Sequence, residues 1–112
     1  MINKQVGNIG EAIAVKCLKE NNYKIVQLNY TNKIGEIDII AKDQETLVFV
    51  EVKSRTSDKF GFGREAVDFR KQQKIRNVAQ VYLKYKKLED VLCRFDVIEI
   101  TGDKVEHIKN AF

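Results

Sequence analysis

Asp38 lies in the run GEIDIIAKD, and Glu51 and Lys53 lie in TLVFVEVKS, with a turn centred on Gln44-Glu45 between them. Both runs are rich in β-branched residues and read as strands of one hairpin. A two- or four-residue loop at that turn sets position 42 opposite 47, 40 opposite 49 and 38 opposite 51. Asp38 and Glu51 then stand side by side, with Cβ atoms about 4.5–5.5 Å apart. Like charges directly opposite destabilise a strand pair. The flanking residues are almost continuously apolar, as in strands covered on both faces, and acids there are costly unless they are paired or bind a cation. A divalent cation resolves the conflict. Carboxylates, a backbone carbonyl beside Glu51 and water suit Mg²⁺ or Mn²⁺. Lys53 projects from the face of Glu51, Phe49 and Leu47, where its ammonium can orient a water or hold a phosphate oxygen. A metal with a lysine beside it is equipped for phosphodiester hydrolysis.

Other residues stand in reach of that chemistry. In a first helix read over Lys4 to Asn21, capped by Asn3, Glu11 falls beside Gly7, Ala14 and Leu18 at the border of the apolar face. It is a candidate third metal ligand or water ligand, and Gly7 and Gly10 let the helix approach the sheet closely. Lys71 and Lys74 lie near the apolar face of a later helix, where a phosphate at the sheet edge is within reach. With Arg55 and Arg70 they are the candidate nucleic-acid contacts. Plainer readings exist for each: an ion-pair network for the acids, a salt bridge from Lys53 to Glu36 or Glu51, a surface glutamate, and lysine stems snorkelling over apolar surface. His107, the single histidine, reads as a solvent-facing strand residue.

The elements that must position these groups follow from periodicity. YKIVQLNY reads as a first strand, and GEIDIIAKD, with Glu36, Asp38 and Ile40 on one face and Ile37, Ile39 and Ala41 on the other, as a second. TLVFVEVKS is the third. Thr56 to Gly63 reads as a loop, and a long helix follows from about Arg64 to Lys87, with Val67, Ile75, Val78, Ala79, Tyr82 and Leu83 on its apolar side. LCRFDVIEI and KVEHIK, joined through Thr101-Gly102-Asp103, make two closing strands. A strand–helix–strand crossover implies one parallel pair beside an antiparallel hairpin in an α/β domain.

The 112 residues suffice for one domain, 1–112, at 44% apolar and 32% charged composition, which excludes disorder. The net charge of +4 favours an anionic partner only weakly, but Phe69 to Leu88 holds seven basic residues and no acid. Cys17 and Cys93 are too few for a disulfide framework or zinc site and read as reduced, buried thiols of a cytoplasmic protein. No apolar run reaches membrane-spanning length, and the first residues lack a signal-peptide core, so no membrane association is expected.

GEIDIIAKD…LVFVEVKSR, after GNIGEAIAVKCL and before FRKQQKIRNVAQVYL and RFDVIEI, resembles the YraN family of small bacterial proteins over essentially the whole chain. Asp38 followed by Glu51-x-Lys53 also resembles the PD-(D/E)XK nuclease superfamily, which includes archaeal Holliday-junction resolvases. Ile37 stands where the proline of that motif would be. The resemblance implies a restriction-endonuclease-like αβββαβ core within a mixed five-stranded sheet flanked by helices. It matches Asp38 and Glu51 to metal ligands, Lys53 to the catalytic lysine and Glu11 to a helix-borne glutamate. The expected activity is Mg²⁺- or Mn²⁺-dependent hydrolysis of DNA, branched or damaged DNA in repair or recombination included. The alternative is a non-catalytic nucleic-acid-binding or interaction module. A homodimer is expected to enlarge the surface available to a duplex.

Overall fold

The computed structural model describes residues 9–55 and 67–112. Its elements are α1 (Ile9–Glu20), β1 (Lys24–Thr31), β2 (Glu36–Asp43), β3 (Thr46–Arg55), α2 (Phe69–Tyr85), β4 (Leu92–Thr101) and β5 (Lys104–Ile108). The strands form one sheet in the order β1-β2-β3-β4-β5. Only β3 and β4 run parallel, since α2 carries the chain across the sheet between them; the other pairs are antiparallel. This is the expected αβββαβ core, extended by β5.

The sheet is covered on both faces. On one side Ala14 and Leu18 of α1 pack with Ile39, Ala41, Val48, Val50, Ile98 and Ile100. On the other, Ile75, Val78, Ala79 and Tyr82 of α2 pack with Ile37, Ile40, Leu47 and Phe49. Phe49 meets Tyr82 edge-on at 6.0 Å and stacks on Phe95 at 5.4 Å, geometries that add to area burial. The buried stripe of α1 is narrower than its pattern suggests, because Ile9 and Ile13 are exposed. A Cβ on Gly10 would come within 3.2 Å of the Ser54 Cβ, so this glycine sets how closely α1 sits on β3.

Several expectations change. The long helix begins at Phe69, not Arg64: Asp68 is its N-cap and accepts from the Lys71 backbone N–H at 2.8 Å. Residues 4–8 and 64–66, with the Thr56–Gly63 loop, the Asn3 cap and Gly7, fall outside the described residues. Cys93 is exposed and Cys17 half-buried. His107 is largely buried, its Nε2 2.7 Å from the Asp96 Oδ2. The fully buried Asp96 also takes two bonds from Arg94, at 2.9 and 3.0 Å, and one from the Asn110 amide at 2.9 Å. Arg94 reaches on to Tyr23 and Asp43. Burial pushes the Asp96 carboxyl up, but bonds from His107, Arg94 and Asn110 outweigh it and hold the carboxyl below its ordinary value.

Candidate metal and nucleic-acid site

The β2–β3 hairpin has the register anticipated from its pattern: Lys42 faces Leu47, Ile40 faces Phe49 and Ile39 faces Val50. Gln44, at φ 57°, makes the tight connection. One step further along, Asp38 and Glu51 come opposite each other, but the regular ladder stops there. Asp38 turns its carboxylate into the plane of the sheet, where Oδ2 accepts from the Val52 N–H at 2.9 Å.

This turn breaks the alternation of β2. Ile37 and Ile40 pack against α2, whereas Ile39 and Ala41 pack against α1, so Ile37 does not share the face of Ile39 as a regular pleat requires. The neighbouring strand yields at the same level. Asn29 lies between Leu28, paired with Ile39, and Tyr30, paired with Ile37, and has φ 51°, a left-handed conformation that asparagine tolerates better than most residues.

Glu51 stays on the α2 face with Leu47 and Phe49 and is 8% exposed. Burial, and then the Asp38 carboxylate, push its carboxyl from the ordinary 4.5 up to about 7, with the Lys71 ammonium pulling the other way. Lys71 Nζ lies 3.4 Å from Glu51 Oε2. The first turn of α2 thus delivers one lysine directly to the acid pair, instead of only snorkelling it to solvent. Lys74, a turn later, lays its stem over Gly35, where an added Cβ would meet Lys74 Cε at 3.1 Å.

Lys53 is half-buried two residues beyond Glu51, paired across β4 with Glu99. It makes no ion pair with Glu36 or Glu51 among the described residues. Glu11 is half-buried on the inner side of α1 and accepts from Asn29 Nδ2 at 2.8 Å, and the same amide reaches Glu36 at 3.3 Å. Asn29 was not singled out by sequence; an Asn inside a strand, where it is disfavoured, was the available signal. Arg70 is exposed in the first turn of α2, and Arg55 ends β3, paired with Thr101.

The donor set fits a hard divalent cation at Asp38 and Glu51: two carboxylates so close that one suppresses ionisation of the other. Among the described residues, no three Asp, Glu, His or Cys side chains gather around one point, so Glu11 stands apart from the pair as a ligand. No helix among those residues is long and apolar enough to cross a membrane.

Comparison with known proteins agrees along the chain. The model of uncharacterised protein family UPF0102 matches residues 10–100. A UPF0102 protein of Caldanaerobacter subterraneus subsp. tengcongensis is 50% identical, over 97% of this chain and 95% of its own. A UPF0102 protein of Clostridium beijerinckii is 46% identical over 99% of this chain and 95% of its own, and one of Clostridioides difficile 47% identical over the full length of both. The chain that sets Asp38 against Glu51 beneath Lys71 therefore belongs to the UPF0102 family.

Proposed function

We propose that this protein is a divalent-metal-dependent, nuclease-like protein that hydrolyses phosphodiester bonds in nucleic acid, with DNA, branched or damaged DNA included, as the polymer. The observation that carries the reading is the meeting of Asp38 and Glu51 on adjacent central strands, where burial first and the Asp38 carboxylate second raise the Glu51 carboxyl to about 7. Two acids do not gain from such proximity unless a cation is shared between them. The PD-(D/E)XK and YraN resemblance points the same way.

Asp38 and Glu51 would hold Mg²⁺ or Mn²⁺, and the metal would supply Lewis-acid polarisation of phosphate and a more acidic water. Asn29 fixes the direction of the Glu11 carboxylate. Asp38 is pinned by the Val52 amide and keeps lone pairs for a cation, since one bond does not exhaust a carboxylate. Lys53 extends from the Glu51 face to orient the attacking water or to compensate charge on phosphate. Lys71 beside Glu51, with Arg70 and Lys74 on the same helix, offers positive charge for the backbone of the polymer, and Arg55 follows Lys53 at the end of β3.

The test is cleavage of junction, flap and single-stranded substrates with Mg²⁺ or Mn²⁺. Activity in wild type that Lys53→Ala removes supports the reading; equal inertness of both proteins on every substrate sinks it. One observation favours a second reading, binding without turnover. Each member of the acid pair has a protein partner, Val52 for Asp38 and Lys71 for Glu51. Salt-dependent binding indifferent to Asp38→Ala would select that module. Sedimentation with and without DNA tests whether a homodimer or a further subunit completes the surface.

A further inference from the structure

Lys71 and Glu51 form an unequal ion pair. The Glu51 side chain is 9% exposed and that of Lys71 49%, and they meet through one contact of 3.4 Å. The backbone of Lys71 is fixed, because its N–H is bound by the Asp68 cap at 2.8 Å. Its four-carbon stem and ammonium are therefore the part able to relocate. One contact of 3.4 Å to a half-exposed lysine holds the ammonium loosely, because its own charge can return to water. Left alone, however, Glu51 stands buried against Asp38 and needs positive charge.

We infer that Lys71 is an exchangeable counter-ion of the Asp38–Glu51 pair, which a divalent cation displaces from Glu51 and a phosphodiester then captures, so that cation and polymer each strengthen the binding of the other. The inference rests on the metal-site reading above and adds an order and a coupling to it. A cation between the carboxylates takes over the role of the ammonium and repels it at short range. The released ammonium stays tethered within reach of the site, in the first turn of α2 beside Arg70. The positive end of the helix dipole adds to the attraction for an anion there. A phosphate that engages Lys71 in turn removes the competitor for Glu51. Because coupling free energy is reciprocal, metal must raise polymer affinity by the same factor as polymer raises metal affinity.

The experiment compares wild type with Lys71→Met, which keeps the stem and removes the charge, and with Lys84→Met, which removes one exposed charge in the last turn of the same helix. Mn²⁺ binding is titrated without nucleic acid, by the loss of its free-ion spin-resonance signal. Lys71→Met is expected to bind Mn²⁺ about two- to fivefold tighter, and Lys84→Met to match wild type within about 1.5-fold. Binding of a fluorescent single-stranded oligonucleotide is then measured in a Lys53→Ala background, so the probe stays intact, with Mn²⁺ and with chelator. Lys71→Met should cost less than about twofold in chelator and about three- to tenfold in Mn²⁺.

Unchanged or weaker Mn²⁺ binding in Lys71→Met, equal tightening in Lys84→Met, or the same oligonucleotide loss with and without metal overturns the inference. Glu51→Gln and Asp38→Asn serve as separate arms. If either binds Mn²⁺ as tightly as wild type, or if no protein binds Mn²⁺, the metal-site reading falls too. If Glu51→Gln abolishes binding while Lys71→Met changes nothing, the counter-ion inference alone falls.

Discussion

Glu51→Gln should change how stability depends on pH more than it changes stability itself. The Glu51 carboxyl ordinarily titrates at 4.5 and is pushed up to about 7 in the folded chain, first by burial and then by Asp38. Its folded value lies above its unfolded value, so the folded state holds the proton more tightly. The associated stability is fully present below about 4.5 and is lost as pH rises through about 7. At 1.36 kcal/mol per pH unit, that window corresponds to about 3 kcal/mol between acid and pH 8. Glutamine keeps the shape and cannot ionise. Urea unfolding of metal-free wild type and variant in chelator, at intervals from pH 4.5 to 8, subtracts every other titration common to both proteins. The expected result is a wild-type stability that falls by about 3 kcal/mol relative to the variant across the range, mostly between pH 5 and 7. Asp38→Asn should shrink this fall by removing the second cause, and Lys71→Met should enlarge it by removing the opposing charge. A difference constant within about 0.5 kcal/mol from pH 5 to 8 would refute the claim that burial beside Asp38 raises the Glu51 carboxyl.

Asp96→Asn should destabilise by about 3–5 kcal/mol in thermal or chemical unfolding, since it leaves the Arg94 guanidinium without its principal buried partner. Because Asp96 is held below its ordinary value, its stabilisation is present above about pH 4 and lost as pH falls through its lower folded value, so the variant's deficit should narrow in strong acid. Phe49→Ala should cost about 3–5 kcal/mol by opening a hole beneath Tyr82 and Phe95, read as a shift of the urea midpoint at unchanged slope. Gly10→Val should cost about 1–3 kcal/mol by forcing α1 off Ser54, and should weaken any metal binding that depends on Glu11, one residue on.

What could be read without coordinates was what local pattern carries. The β2–β3 register was legible because a two-residue turn and an apolar run on each side leave few ways to pair, and it placed Asp38 near Glu51 correctly. The face of α2 was legible from Ile75, Val78, Ala79 and Tyr82 for the same reason. Asp38 turning into the sheet was not, since alternation assumes a regular pleat and has no term for a side chain that takes the place of a ladder acceptor. The Asp96 network was equally hidden: Tyr23, Asp43, Arg94, His107 and Asn110 are scattered along the chain, and His107 looked like an outward strand residue until its partner appeared. The start of α2 was missed for a different reason. Asp68 ahead of Phe69 is an ordinary cap signal, but Val67 just before it fits the apolar face of the helix and hides the boundary.

The bond between the Asp38 carboxylate and the Val52 amide makes one backbone proton a reporter of the acid pair. A proton donated to a carboxylate within a sheet is shielded from solvent and shifted in its resonance. It therefore exchanges slowly only while Asp38 keeps its seat. Any ligand that draws Asp38 toward Glu51 lengthens that bond, and any ligand that leaves Asp38 in place preserves it. The exchange rate and chemical shift of a single amide, read without substrate and without turnover, thus distinguish a cation held by both acids from one held by Glu51 alone.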